Sequence, residues 1–173
     1  MDVDTWREKN KNKNYSYFGW HTSGEPVNYN FNHMGYRGKF YENPDISVFG
    51  SSFSFGIGID YCDCWHQNLG DYKVNCYAVA GWLINNNQII ENYKKHLQQG
   101  YLGKTIIQLR EFEYNTGALD LPKCDIVCID KQNNNVGIHL GYSSFIDFAL
   151  DNKHPGAKTH KRWAKILKKI WNL

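Results

Sequence analysis

Two groups of residues in this sequence have the side chains that acyl-transfer chemistry needs. The first follows a short apolar run, where Gly50 is succeeded by Ser51 and Ser52. A serine at the end of a strand, beside the free N–H groups of a helix start, can present its hydroxyl as a nucleophile. Serine after a strand also acts as a cap or turn residue, so both interpretations stay open.

The second group lies about 100 residues later, where Asp151 and His154 precede Pro155 and Gly156. A carboxylate three residues before a histidine can orient the imidazole, and this pair is the base and its partner in a serine triad. Asp151 could instead cap the turn, and Asp147 is an alternative acid for His154.

Four short apolar segments are predicted to form buried strands that lead into these groups. They cover residues 45–50, 72–79, 104–109 and 125–129. A short helix is expected over 62–69, between the first two strands. Another helix is predicted over 85–99, followed by Gly100 as its C-terminal residue. It has four apolar residues on one side: Ile89, Ile90, Tyr93 and Leu97.

The last helix is predicted to begin at Pro155, near the first helical position where proline is tolerated. Lysines fill one side of this helix. The apolar residues on the other side follow the i, i+3, i+4, i+7 pattern: Trp163, Ile166, Leu167 and Ile170. Such a basic amphipathic helix can pack on a sheet with a solvated lysine face, or can bind a membrane or phosphate.

Short strands alternating with helices predict an α/β fold with a parallel sheet and helices on both faces. In such sheets the active site lies at the carboxyl ends of the strands. The loops after Phe49, Val79, Leu109 and Ile129 are therefore the expected positions of functional residues.

Three blocks of the chain resemble motifs of the SGNH/GDSL hydrolase family. Residues 50–56 (GSSFSFG) resemble the first block, in which a strand leads into Gly-Asp-Ser and a hydrophobic residue. Ala80-Gly81 is similar to the block whose glycine N–H joins the oxyanion hole, and residues 151–155 resemble the last block. Residues 32–38 and 56–60, with Trp65, are also similar to family members, so the resemblance spans residues 32–170.

This resemblance implies a three-layer α/β/α sandwich with a mainly parallel central sheet, the flavodoxin-like SGNH hydrolase fold, over residues 31–173. It implies that Ser52 is the nucleophile, His154 the general base and Asp151 the acid that orients it. The N–H groups of Ser52 and Gly81 would stabilise the tetrahedral oxyanion. The implied reaction is hydrolysis of a small acyl ester through an acyl-serine, without a metal or organic cofactor.

The chain departs from the family pattern at two places. Ser51 replaces the aspartate before the nucleophile, but that aspartate is not part of the triad. The third block, Gly-x-Asn-Asp, is missing, and residues 108–115 read QLREFEYN. Asn115 lies a few residues late as the third oxyanion donor, and Gln108 or Arg110 could substitute. Loss of one donor would lower the rate by about 10²–10³-fold.

Several other residues that could do chemistry have structural interpretations. Arg37 could bind a substrate carboxylate or sugar, or form a structural salt bridge. His160 is expected on the surface of the last helix, and His66 and His139 have no partner visible in the sequence. The five cysteines are expected to be free thiols, packed as small hydrophobic residues rather than bound to zinc: Cys62, Cys64, Cys76, Cys124 and Cys128.

The length of 173 residues suits one domain. Residues 1–30 are expected to form a polar, irregular N-terminal arm, with a flexible or surface stretch over 7–14 (REKNKNKN). No apolar run approaches the ~20 residues of a membrane helix. The N-terminus also lacks the apolar core of a signal peptide, which favours a cytoplasmic location, with association to a virion or other assembly left open.

Three functions remain open from the sequence. The first is a serine esterase acting on a small-molecule or carbohydrate ester, such as an O-acetylated sugar. The second is a non-catalytic SGNH-like module that binds a glycan or a protein partner, favoured by Ser51 and the missing third block. The third is a nucleic-acid or membrane-surface binder that uses the terminal lysines, although a net charge of +3 does not demand nucleic acid.

Overall fold

The structure is a computed structural model that describes residues 2–81, 84–100, 102–110, 124–129, 138–140 and 144–171. Its helices are α1 (Val3–Asn10), α2 (Ser52–Phe55), α3 (Asn86–Gln99) and α4 (Ala157–Trp171), with 3-10 turns at Tyr61–Asp63 and Trp65–Asn68. Its strands are β1 (Asn14–Tyr15), β2 (Tyr29–Asn30), β3 (Ile46–Phe49), β4 (Val74–Cys76), β5 (Lys104–Leu109), β6 (Ile126–Ile129) and β7 (Ile138–His139).

Within these residues, strands β3 to β7 form one sheet in the order β4-β3-β5-β6-β7, and every neighbouring pair is parallel. The chain therefore winds outwards from β3 in both directions, first to β4 and then to β5. The strand order reverses between β3 and β5, and in open parallel sheets ligands bind outside the carboxyl ends of the strands at this point. β1 and β2 form a separate antiparallel pair.

Alternate residues of the central strands supply two hydrophobic clusters. Val48 and Ile106 belong to a cluster with Trp163 of α4, whereas Phe49 and Ile107 belong to a cluster with α3. Because successive side chains of a strand point to opposite faces, the two clusters lie against opposite faces of the sheet. The expected α/β class with a parallel sheet is thus confirmed.

The strongly patterned elements agree with the prediction. β5 has the predicted bounds, and β3, β4 and β6 lie inside the predicted strands. α3 begins one residue after Asn85, whose side chain accepts from the Gln88 N–H in a capping box. The helix expected over 62–69 is instead the pair of 3-10 turns.

The exact buried face of each long helix differs from the prediction. On α3, Leu97 is 53% exposed, and the polar ring of His96 takes the buried position. On α4, Ile170 is 50% exposed, while Thr159 and His160 are buried instead. The predictions for Leu97 and Ile170 were wrong, because a hydrophobic pattern treats every polar residue as outward-facing, whereas the other predicted apolar residues of both helices are buried or partly buried.

The N-terminal segment is not the irregular arm that was expected over residues 1–30. α1 begins after Asp2, whose carboxylate accepts from the Thr5 N–H at 2.8 Å. Trp6 is buried among three phenylalanine rings, and Tyr29 is fully buried in the same cluster. The segment is therefore integral to the hydrophobic core.

None of the helices described is long and apolar enough to cross a membrane.

Candidate active site

Ser52 lies where β3 ends and α2 begins. Gly50 and Ser51 turn the chain from the strand into the helix. Ser51 has an extended N-cap backbone, with φ −102° and ψ −153°, but its side chain makes no capping hydrogen bond. Ser51 is buried and Ser52 is half-buried. The turn therefore presents Ser52 as the more accessible hydroxyl at the carboxyl end of β3.

Polar contacts hold α2 against the sheet. Ser54 Oγ donates to Oε1 of Gln108, a fully buried side chain on β5. His66 Nε2 donates to the Ser54 carbonyl at 3.0 Å. A Cβ at Gly50 would lie 2.5 Å from Ser54 Oγ, so the turn before Ser52 requires glycine. The position of Ser52 is thus fixed from both its strand and its helix.

Asp151 and His154 are joined within one tight turn. His154 Nδ1 lies 2.5 Å from Asp151 Oδ2. The other carboxylate oxygen, Oδ1, accepts from the N–H groups of Lys153 and His154 at 3.1 and 3.0 Å. Asn152 between them has a φ of 55°, a left-handed conformation that asparagine tolerates better than most residues. The turn therefore sets the distance between acid and imidazole.

This pairing determines how the imidazole can act. The Asp151 side chain is wholly buried, and burial raises the pKa of its carboxyl group. Hydrogen bonds from the His154 ring and from backbone N–H groups outweigh that effect, and the net pKa lies below the ordinary 3.8. A carboxylate facing Nδ1 favours the tautomer with the proton on Nδ1. The lone pair of the neutral ring then lies on Nε2, where a general base needs it.

The imidazole of His154 lies beside the helix that begins with Ser52. Its ring centroid is 5.8 Å from that of Phe53, edge to face at 90°, and Phe53 directly follows Ser52. Among the described residues, nothing is hydrogen-bonded to Ser52 Oγ or to His154 Nε2. Catalytic hydrogen bonds are often long in an unliganded enzyme and tighten with substrate. The structure therefore places the His154 ring against Phe53, the residue after Ser52, and shows no hydrogen bond between Ser52 and His154.

Gly58 docks the Asp151 turn onto the loop after α2. The Leu150 N–H donates to the Gly58 carbonyl at 3.2 Å, and the Gly58 N–H donates to Tyr29 Oη at 2.7 Å. Gly58 has a φ of 74°, and a Cβ there would lie 3.0 Å from Ala149 Cβ and 3.1 Å from Leu150 N. The close approach of the two loops therefore depends on a residue without a side chain.

Gly81 lies at the same edge of the sheet as Ser52. Beyond β4 the chain continues beside β3, because the Val79 N–H donates to the Gly50 carbonyl at 3.0 Å. Trp6 Nε1 donates to the Ala80 carbonyl at 2.9 Å and so fixes the residue before Gly81. The N–H of Ser52 is an orphan donor of a first helical turn. Within the described residues, neither this N–H nor that of Gly81 has an acceptor.

The third oxyanion donor is not located. Asn115 lies outside the residues that the structure describes. Gln108 is wrong as a substitute, because its Nε2 donates to the Leu140 carbonyl at 3.0 Å in the core. Arg110 is tied to the start of α3, where its N–H donates to Asn86 Oδ1 at 2.7 Å and its guanidinium donates to the Ile84 carbonyl.

Asp147 is not the partner of His154. Its carboxylate accepts from the backbone N–H groups of Lys158 and Thr159 at 2.9 and 2.7 Å, and from Thr159 Oγ1 at 2.6 Å. Burial raises the pKa of Asp147, but these bonds outweigh it and hold the pKa below 3.8. Asp147 therefore caps α4, and Asp151 is the acid that His154 contacts.

Arg37 has neither of the two roles considered for it. The residue is 1% exposed, and its guanidinium donates to the carbonyls of Asn28, Phe55, Gly56 and Ile59. It also lies 4.4 Å from the ring centroid of Tyr29. It forms no salt bridge with any described residue. Arg37 therefore holds the chain at the end of α2, where unpaired carbonyls favour a cation.

His160 is buried, which contradicts its expected surface position. Its Nδ1 accepts from the Trp65 N–H at 3.0 Å, and burial lowers its pKa well below 6.5. His66 is buried as well, and the same cause lowers its pKa to about 3. His66 Nε2 donates to the Ser54 carbonyl, and His66 Nδ1 lies 3.0 Å from Gln67 Nε2. The side chain of His139 lies outside the described residues.

The side chains of four cysteines are described, and all four are free thiols: Cys62, Cys64, Cys76 and Cys124. Cys64 and Cys76 are buried, which raises the pKa of each thiol to about 12. Cys62 is exposed, contrary to the expected buried role. The described residues include no group of three or more His, Cys, Asp or Glu side chains that could hold a metal ion.

Two supporting residues of the site did not emerge from the sequence. The sequence singled out Gly58 only as part of residues 56–60, which are similar to SGNH/GDSL family members. In the structure its left-handed φ and missing side chain allow the segment before Asp151 to pack against it. Tyr29 lies in the segment expected to be an irregular arm, yet its hydroxyl anchors Gly58. The run of glycines at 56 and 58 was the available signal, because closely spaced glycines mark a tight approach of backbones.

No family model, no curated protein and no solved structure matches this chain.

Proposed function

We propose that this protein is a serine esterase with the three-layer α/β/α fold of the SGNH hydrolases. The observation that carries the proposal is the buried Asp151–His154 pair beside the first turn of α2, where Ser52 lies. The pair leaves Nε2 of His154 as the basic nitrogen. Its substrate is a small acyl ester, for which an O-acetylated carbohydrate is one candidate.

In the first half of the reaction, His154 Nε2 takes the proton of Ser52 Oγ as the oxygen attacks the ester carbonyl carbon. The carbonyl oxygen becomes an oxyanion, which the N–H groups of Ser52 and Gly81 would stabilise. The tetrahedral intermediate collapses to an acyl-serine, and the alcohol leaves with the proton held by His154. Asp151 stabilises the imidazolium throughout without accepting its proton.

In the second half, water attacks the acyl-serine while His154 removes its proton. The same imidazole then returns the proton to Ser52 Oγ as the carboxylic acid leaves. The site supplies every proton acceptor and donor that these steps use, so the proposed reaction needs no added cofactor.

A non-catalytic binding module is the second candidate function. The observation that favours it is the absence of a hydrogen bond between Ser52 and His154 among the described residues. Ser51 at the usual aspartate position and the missing third block support the same alternative. A module of this kind would keep the fold and bind a glycan or a protein partner without turnover.

Hydrolysis of p-nitrophenyl acetate by the wild type, Ser52→Ala and Ser51→Ala separates the two functions. We expect Ser52→Ala to lose activity and Ser51→Ala to keep it, because the Ser51 side chain makes no capping bond. Circular dichroism verifies that each variant is folded. Labelling with a fluorophosphonate, read by peptide mass, should modify Ser52 and no other serine. A folded wild type that neither hydrolyses the ester nor takes the label would count against the esterase and favour the binding module.

A further inference from the structure

A row of exposed apolar side chains leads directly into the Asp151 turn. Ile146, Phe148 and Leu150 are 54%, 60% and 44% exposed. The residues between them, Asp147 and Ala149, turn inwards to cap α4 and to meet Gly58. This alternation is that of an extended chain, in which every second residue shares a face. We call Ile146, Phe148 and Leu150 the apolar row.

Single exposed apolar residues are ordinary, but here three occur at alternate positions of one short segment. The segment is also ordered by its own contacts. Phe148 pairs with Pro155 in an antiparallel bridge, and the Ala149 N–H donates to the His154 carbonyl at 2.9 Å. The apolar row is therefore held rigidly outwards beside the candidate catalytic turn.

A chain of aromatic contacts connects the apolar row to the catalytic histidine. The ring centroid of Phe148 lies 5.9 Å from that of Phe145, and Phe145 lies 5.5 Å from Phe53. Phe53 in turn lies 5.8 Å from His154. A series of ring contacts thus leads from Phe53, which is buried next to Ser52, through the partly buried Phe145 to the exposed ring of Phe148.

Three charged residues of this segment, Asp147, Asp151 and Lys153, already have partners. The carboxylate of Asp147 accepts from the first N–H groups of α4, and that of Asp151 is wholly buried against His154. The ammonium of Lys153 lies 3.7 Å from the ring centroid of Trp20, in a cation–π contact. An apolar group on the row would therefore leave these three charges in their present contacts.

We propose that the apolar row binds the acyl chain of the substrate, which makes a medium-length fatty acyl ester a better substrate than an acetate. This inference rests on the proposed function and specifies its substrate class. A second copy of the chain is a poorer occupant, because a standard interface contains about 20–30 residues a side and the row has three large side chains.

The test compares kcat/KM for p-nitrophenyl octanoate and acetate in the wild type and in Phe148→Ala. We expect the wild type to prefer octanoate, and the octanoate-to-acetate ratio to fall about tenfold in Phe148→Ala. Leu97→Ala and Ile170→Ala are matched controls, since these residues are equally exposed apolar side chains on α3 and α4. Their ratios should equal that of the wild type. An unchanged ratio in folded Phe148→Ala would overturn the inference.

Binding of octanoate to Ser52→Ala by calorimetry separates the inference from the proposed function. Binding that weakens about tenfold on adding Phe148→Ala supports the apolar-chain site, even if no ester is hydrolysed and the esterase proposal fails. If ester hydrolysis requires Ser52 but Phe148→Ala does not change the octanoate-to-acetate ratio, the esterase proposal stands and the acyl-chain site is overturned. Sedimentation of a dimer that Phe148→Ala dissociates would assign the row to a second copy and overturn the inference.

Discussion

Nδ1 of His154 lies 2.5 Å from a carboxylate oxygen of Asp151, and both residues belong to one four-residue turn. In many triads the acid and the base come from distant parts of the chain. Here the turn itself sets their separation, since Asp151 also accepts from the N–H of His154. Any change that moves this turn moves the acid and base together, and it alters their position relative to Ser52.

Asp151→Asn should lower kcat by about 10³–10⁴-fold, because an amide can favour the wrong tautomer of His154 and cannot stabilise the imidazolium. Asp147→Asn is the matched control, since Asp147 caps α4 and does not contact His154. It should cost about 1 kcal/mol of stability and leave kcat unchanged. Ester hydrolysis and urea denaturation measure the two effects. Equal losses of kcat in both variants would contradict the assignment of Asp151.

Gly58→Ala should impair catalysis more than stability alone explains. A Cβ at Gly58 would lie 3.0 Å from Ala149 Cβ, so the loop before Asp151 must shift. A displacement near 1 Å is enough to reduce the rate by about a hundredfold. Gly24 also has a left-handed φ, of 87°, but a Cβ there meets nothing within 4 Å.

Gly24→Ala therefore isolates the backbone cost of a left-handed alanine, about 1–2 kcal/mol. Urea denaturation and kcat/KM for p-nitrophenyl acetate should be measured on both glycine variants. If the two variants lose kcat equally, the docking of the Asp151 turn on Gly58 has no role in positioning His154.

The sheet could be predicted because β3 and β4 are buried throughout and β5 is buried except at Lys104, so that short apolar runs mark these strands. β3 and β5 each lie between two hydrophobic clusters, so apolar residues occur in both strands without strict alternation with polar ones. α3 could be placed because Asn85 and Gln88 form a capping box, which is visible in sequence. The strand-turn-helix position of Ser52 follows from the same signals.

Buried polar residues explain most of the errors. His160, His96 and Arg37 are all buried, and each has a hydrogen-bond partner far away in sequence. A hydrophobic pattern cannot predict such partners, so it assigns these side chains to the surface. α1 was missed for a similar reason, since Trp6 is surrounded by polar residues although Asp2 gives a visible N-cap.

The relation between Ser52 and His154 lies beyond what the sequence could predict. Which residues could form the triad follows from residue type and order along the chain. Whether the hydroxyl and the imidazole meet depends on how the loop at Gly58 packs against the segment before Asp151. That packing involves Tyr29, from a segment with no clear periodicity. Loop geometry of this kind is set by tertiary contacts rather than by local pattern.

Trp6→Ala should destabilise the fold by about 3–5 kcal/mol, as expected for loss of a large buried ring. The variant also removes the hydrogen bond from Trp6 Nε1 to the Ala80 carbonyl, beside Gly81. Trp20→Ala is the matched control, because Trp20 is 45% exposed. It should cost about 1 kcal/mol or less. Urea denaturation gives both values, and comparable losses would show that α1 is not part of the core.

The stability of the fold should fall as the pH is lowered below about 6.5. Burial lowers the pKa of His66 to about 3 from the ordinary 6.5, and it lowers the pKa of His96 to about 4. At a pH between the lowered pKa of each histidine in the folded state and its ordinary pKa of 6.5, the histidine binds a proton in the unfolded chain but not in the folded one. Acid therefore favours unfolding. Each such histidine contributes a slope of about 1.4 kcal/mol per pH unit within its own window.

His66→Gln tests this dependence, because an amide N–H can still donate to the Ser54 carbonyl while the titrating group is removed. We expect its free energy of unfolding, measured with urea from pH 4.5 to 8, to change less steeply with pH than that of the wild type. The control Leu97→Ala changes an exposed side chain and removes no titrating group, so its slope should match the wild type. If His66→Gln retains the full wild-type slope, His66 is not held neutral by its burial, and the acid sensitivity must arise from other groups.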